Sequence, residues 1–99
     1  MAETVKKANA RYQATEEETL KFSKSVGENI KSWREVFRLS QEQLGRVVGV
    51  SVFTIQKWEQ GKFMPKPENL IALGKAFEIE PAELLRIVPA HKEIKRRRR

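Results

Sequence analysis

No cysteine occurs in the 99 residues, and the single histidine, His91, stands alone. Disulfide frameworks, zinc knuckles and thiol chemistry are thereby excluded, as is any site that needs a pair of histidines. No His/carboxylate spacing suits a metal, and no Gly-rich loop is present to cradle a phosphate. Apolar runs are short: none approaches the ~18–20 residues of a membrane span. The start, Met1-Ala2-Glu3-Thr4-Val5-Lys6-Lys7, has no apolar stretch of the kind a secretion signal requires. These absences predict a soluble, cytoplasmic chain with no cofactor, no metal, no membrane association and no enzymatic activity. The length accommodates one domain plus ends, and a hydrophobic content of 39% supports only a modest core.

The net charge of +7 points to a polyanionic partner, but its placement matters more than its total. Residues 1–26 hold five Lys/Arg against four Asp/Glu, and residues 27–88 hold nine against eight. Residues 89–99 hold six against one, so most of the excess lies in a tail that ends in four arginines. Such a run suits non-specific attraction to phosphates, a localisation tag or plain solvation. Basicity alone therefore identifies no nucleic-acid-binding domain, and the pattern has to.

Caps and breakers divide the chain. Thr15 followed by Glu18 has the form of a capping box. Leu20, Val26, Ile30, Trp33 and Phe37 then recur at helical spacing, although Gly27 interrupts them, so the main first helix is placed at about 27–37. Ser40 with Gln43 forms a second capping box, opening a helix that carries Leu44, Val47 and Val48 and ends at Gly49. Ser51 caps a third helix with Ile55 and Trp58 inward, ended by Gly61. Pro67 opens a fourth helix, on which Leu70, Leu73 and Phe77 share a face, and Pro81 a fifth, with Leu84, Leu85 and Val88. No segment alternates like a strand. The fold class expected is all-α: five short helices over 27–88, a partly helical or mobile extension at 1–26, in which Val5 and Tyr12 are the possible anchors, and a disordered basic tail at 89–99.

Within residues 41–60 several independent requirements of a helix-turn-helix coincide. Gly45 is the small residue that lets two helices approach, and Gly49 tolerates positive φ in the turn. Leu44, Val48, Val50, Ile55 and Trp58 supply the apolar hinge and inner faces. Trp33 and Trp58 are thus read as core rather than as base-stacking platforms. Phe63-Met64, in a loop, either covers the core edge or joins a subunit interface.

Arg34, Leu39-Ser40-Gln41-Glu42-Gln43-Leu44, Gly49-Val50-Ser51, Thr54-Ile55, Trp58-Glu59-Gln60-Gly61 and Pro65 resemble the lambda-repressor-like family, the Cro or xenobiotic-response-element type. Leu70, Leu73, Ala76-Phe77, Ile79, Pro81 and Leu84-Leu85 are similar to its closing helices. The resemblance covers about 27–88 and implies a compact five-helix domain that places the start of the third helix in the major groove of double-stranded DNA. Carried over by position, Ser51, Val52, Phe53, Thr54, Gln56 and Lys57 face the bases, Lys57 being the leading candidate for guanine O6 and N7. Gln41, Lys62 and Lys66 lie near phosphates, and Arg34 with Glu59 forms an internal ion pair. Val52 and Phe53 depart from the polar readers common in relatives. They either touch thymine methyls or serve otherwise, Val52 packing inward and Phe53 standing exposed or meeting a protein. Gly45 replaces the commoner alanine. Relatives often dimerise near the 63–64 loop and the fifth helix, which favours a homodimer.

The leading expectation is a transcriptional regulator, a repressor, binding an inverted repeat with half-sites about one helical turn apart. The alternative is the antitoxin of a toxin–antitoxin module, its 1–26 segment folding on a protein partner. An RNA- or coactivator-binding adaptor on the same fold is a third.

Overall fold

The computed structural model describes residues 8–87, and the regular structure among them is helical throughout. Residues 1–7 and 88–99 lie outside the described residues, and with them Val5, Val88, His91 and the basic tail expected from the sequence. Helix α1 (Glu16–Val36) starts where Thr15 and Glu18 exchange caps. The Thr15 hydroxyl accepts from the Glu18 N–H at 3.0 Å, and the Glu18 carboxylate accepts from the Thr15 N–H at 2.9 Å. Three glutamates in the first turn complement the positive end of the helix dipole. The helix then runs without a break through Gly27, so the first helix begins well before the expected 27–37. A Cβ at Gly27 would fall on the carbonyl oxygen of Trp58 and lie 2.7 Å from that of Glu59. The glycine permits a close crossing of two segments; it does not end a helix.

Helix α2 (Gln41–Val48) opens on the Ser40–Gln43 capping box and closes on Gly49 at φ 80°. In α3 (Val52–Glu59) the Ser51 hydroxyl accepts from the Thr54 N–H at 3.1 Å. Helix α4 (Pro67–Phe77) has Pro67 in its first turn, where no N–H is needed. The expected fifth helix is instead a 3-10 turn, Pro81–Leu85. Buried Asn29 of α1 donates to the carbonyls of Leu84 at 2.9 Å and Arg86 at 2.7 Å. Those are oxygens that an α-helix would need in order to propagate. The Ser25 hydroxyl adds a bond to the Ile87 carbonyl at 3.3 Å.

The core collects Val26, Ile30 and Trp33 from α1, Leu44 from α2, Ile55 and Trp58 from α3, Leu73 and Phe77 from α4, and Leu84 from the 3-10 turn. Each such side chain contributes about 1.5–3 kcal/mol of burial relative to exposure. Trp33, Phe37 and Phe77 form an aromatic cluster with centroids 5.9–6.4 Å apart. Leu20 and Val47, which share the helical spacing, are exposed. Leu20 borders a shallow groove with Gly61 and Lys62 on the early turns of α1.

Candidate nucleic-acid interface

The approach of α2 to α3 is limited by backbone. A Cβ at Gly45 would lie 2.6 Å from the carbonyl oxygen of Val50, on the turn that joins the helices. The N–H groups of Gly49 and Val50 both donate to the Gly45 carbonyl, at 2.8 and 2.9 Å, which closes α2 and aims the chain into α3. Ile55 and Trp58 anchor one side of α3 in the core. Ser51, Val52 and Phe53 are exposed on the other, and Thr54, Gln56 and Lys57 are half-buried beside them. Positions 52, 53, 56 and 57 fall on one face at a spacing of four. Val52 is therefore not packed inward.

Two sets of contacts fix this face. The Ser51 and Thr54 hydroxyls are 3.0 Å apart and share a hydrogen bond at the start of α3. Further along, the Lys57 ammonium lies 5.0 Å from the centroid of the Phe53 ring, a cation–π contact. The edge-on neighbour of Phe53 is Phe63, with centroids 6.3 Å apart and planes at 70°. Phe63 and Met64 are both substantially exposed, so the 63–64 pair does not seal the core edge. No periodic signal marks Phe63 as a neighbour of α3, because the contact depends on how the turn after α3 folds back. Asn29 was missed for a related reason: its partners are backbone carbonyls 55 and 57 residues away.

Behind the face runs a polar chain. Arg34 donates through Nε and Nη2 to the two carboxylate oxygens of Glu59, at 2.6 and 3.1 Å, and through Nη1 to the Leu39 carbonyl at 2.8 Å. The hydrogen bond to Glu59, helped by that charge and by Glu35, outweighs burial and holds the guanidinium above its ordinary pKa. Glu59 also accepts from the Gln41 amide at 3.0 Å, and the Gln41 oxygen is 3.5 Å from the amide nitrogen of Gln56. The first residue of α2 is thus tied to the end of α3. Lys62 and Lys66 are exposed after α3. The N–H groups of Lys62 and Phe63 both donate to the Lys57 carbonyl, at 2.9 and 3.3 Å, hanging this loop on α3. Among the described residues, no group of three His, Cys, Asp or Glu is placed to hold a metal. No described helix is long and apolar enough to cross a membrane.

Comparison with known proteins agrees with this geometry. The repressor protein C2 of Salmonella phage P22 is 41% identical over 61 residues, which is 62% of this chain and 28% of that protein. The transcriptional activator BcrR of Enterococcus faecalis is 40% identical over 58 residues, covering 59% of this chain and 28% of its own length. The chain thus spans less than a third of either relative. A crystal structure of the P22 c2 repressor with a synthetic operator superposes with a TM-score of 0.60 at 41% identity, over 62% of this chain and 92% of that one. Residues 30–84 match the model of the helix-turn-helix family. The chain belongs to the lambda-repressor-like helix-turn-helix family.

Proposed function

We propose that this chain binds double-stranded DNA sequence-specifically and acts as a transcriptional regulator, a repressor, with the start of α3 in the major groove. The observation that carries this reading is the division of α3. Ile55 and Trp58 are buried behind it, while Ser51, Val52 and Phe53 are exposed to solvent at its N-terminal end. The P22 c2 repressor, crystallised with a synthetic operator, supports it by likeness. In this reading Lys57 donates to guanine O6 and N7, Gln56 reaches a base edge or phosphate, and Val52 and Phe53 meet thymine methyls. Ser51 and Thr54 complete the base-facing set. Gln41 meets a phosphate at the positive end of α2, and Lys62 and Lys66 flank it with charge. The DNA-binding unit is 27–88, joined through the unbroken helix α1, which adds Val26 to the core, to an extension at 1–26, and 89–99 is a source of non-specific attraction. Two copies bind an inverted repeat in the cytoplasm, with half-sites about 34 Å apart.

Selection from random duplex DNA at a fixed salt concentration tests the reading, and an enriched inverted repeat with that spacing is expected. Recovery of no consensus would overturn it. Lys57→Ala is expected to relax preference at one half-site position by about 1–3 kcal/mol. Equal weakening on every sequence would make Lys57 a phosphate contact.

A further inference from the structure

We infer that Phe63, which lies outside α3, is a specificity-setting positioning residue, its ring holding Phe53 and, through Phe53, the Lys57 ammonium. The inference rests on the proposed reading of DNA by α3. Phe53 and Phe63 are 54% and 49% exposed, so the core does not fix either ring. An exposed phenylalanine on a helix surface ordinarily samples several rotamers. Here the edge of one ring meets the face of the other, the arrangement that aromatic quadrupoles favour. Phe53 and Lys57 are four residues apart on α3, one above the other, and the ammonium rests on the ring. Lys57 also accepts, through its carbonyl, the N–H groups of Lys62 and Phe63. The loop that carries Phe63 is therefore tied to the same residue whose side chain the ring pair orients. Removing Phe63 frees Phe53 to turn, and Lys57 loses the surface that keeps it beside the same base step.

A positioning role differs from a phosphate contact in what it changes. An aromatic pair of this kind biases conformers by about fivefold, or about 1 kcal/mol at 1.4 kcal/mol per tenfold. Phe63→Ala is expected to lower discrimination between the selected operator and single-base variants at the Phe53 and Lys57 positions by about fivefold. Affinity for random duplex DNA and its salt dependence are expected to stay within twofold. Phe63→Tyr keeps the ring and is expected to keep the discrimination, whereas Phe63→Leu, apolar without a ring, is expected to lose it. In a Phe53→Ala background, Phe63→Ala is expected to add nothing. In the free protein, the ring shifts the Lys57 ε-methylene resonances upfield, and Phe63→Ala should return them toward random-coil positions. Additive effects of the two alanine variants, or an equal loss on all sequences, would overturn the inference and leave the DNA-binding reading standing. Absence of any sequence preference in the unaltered protein would sink both.

Discussion

The carboxylate of Glu59 serves three donors: Arg34 Nε at 2.6 Å, Arg34 Nη2 at 3.1 Å and Gln41 Nε2 at 3.0 Å. The Arg34 and Glu59 side chains are only 12% and 5% exposed, which separates this pair from surface ion pairs that contribute about 0–1 kcal/mol. Deleting the acid leaves a guanidinium that keeps its bond to the Leu39 carbonyl and loses both charged contacts. Breaking a buried pair from one side costs about 3–5 kcal/mol, and the remaining carbonyl bond places Glu59→Ala at the lower end, about 3 kcal/mol. Urea unfolding checks this: the variant's midpoint falls well below the parent's. A variant that unfolds with its parent would mean that water already satisfies Arg34. The loss extends to α2, because Gln41 is held at its position by the same oxygen.

Two glycines four residues apart show how differently one element can need the same residue. Gly45 has ordinary helical backbone but no room: a methyl there meets the Val50 carbonyl oxygen at 2.6 Å. Gly49 has room, with nothing within 4 Å of an added Cβ, but sits at φ 80°. Gly49→Ala is thus expected to cost about 1–2 kcal/mol, the left-handed penalty of an L-residue, and Gly49→Asn clearly less. Gly45→Ala pushes on backbone and is expected to cost about 1–3 kcal/mol, outweighing the ~1 kcal/mol it gains in helix propensity. Thermal unfolding of the three variants separates them, and a stabilised Gly45→Ala would contradict the close approach. The caps were legible for the same reason that Gly49 was. Thr15 with Glu18, Ser40 with Gln43, Ser51 and Pro67 act on backbone groups within three residues, so sequence alone carries the signal. Gly27 has the look of an interruption in the sequence because its reason is a carbonyl 31 residues away, at Trp58. The 3-10 turn likewise depends on Asn29, which periodicity marks only as polar. Within α3, the buried side, Ile55 and Trp58, was legible from period and caps and the opposite side through the family resemblance, whereas the ring of Phe63 against Phe53 was not, since no local rule sets the path of a loop.

Charge has to be weighed over the whole molecule, because a polyanion responds to where cations are held rather than to their sum. Residues 27–88 carry nine Lys/Arg against eight Asp/Glu, so this stretch offers little long-range attraction by net charge. Six of the eleven residues at 89–99 are basic, a composition that, in the proposed reading, attracts any duplex equally. In the proposed reading the salt dependence of binding therefore has two sources, residues 89–99 and the loop after α3. Lys62 and Lys66 are exposed on the loop after α3, which hangs on the Lys57 carbonyl beside the side chains proposed to face bases. Each phosphate contact removed lowers the slope of log Kobs against log salt by about 1. Replacing Lys62 and Lys66 together by alanine is expected to lower that slope by about 2, with the same proportional loss on the selected operator and on random duplex DNA. Both side chains are exposed, so the unfolding midpoint should stay within about 0.5 kcal/mol of the parent. Titrations at several salt concentrations on both duplexes make the measurement. A shift in sequence preference without a change in slope would move one of these lysines from the phosphate backbone to a base edge, because counterion release reports phosphates and discrimination reports bases.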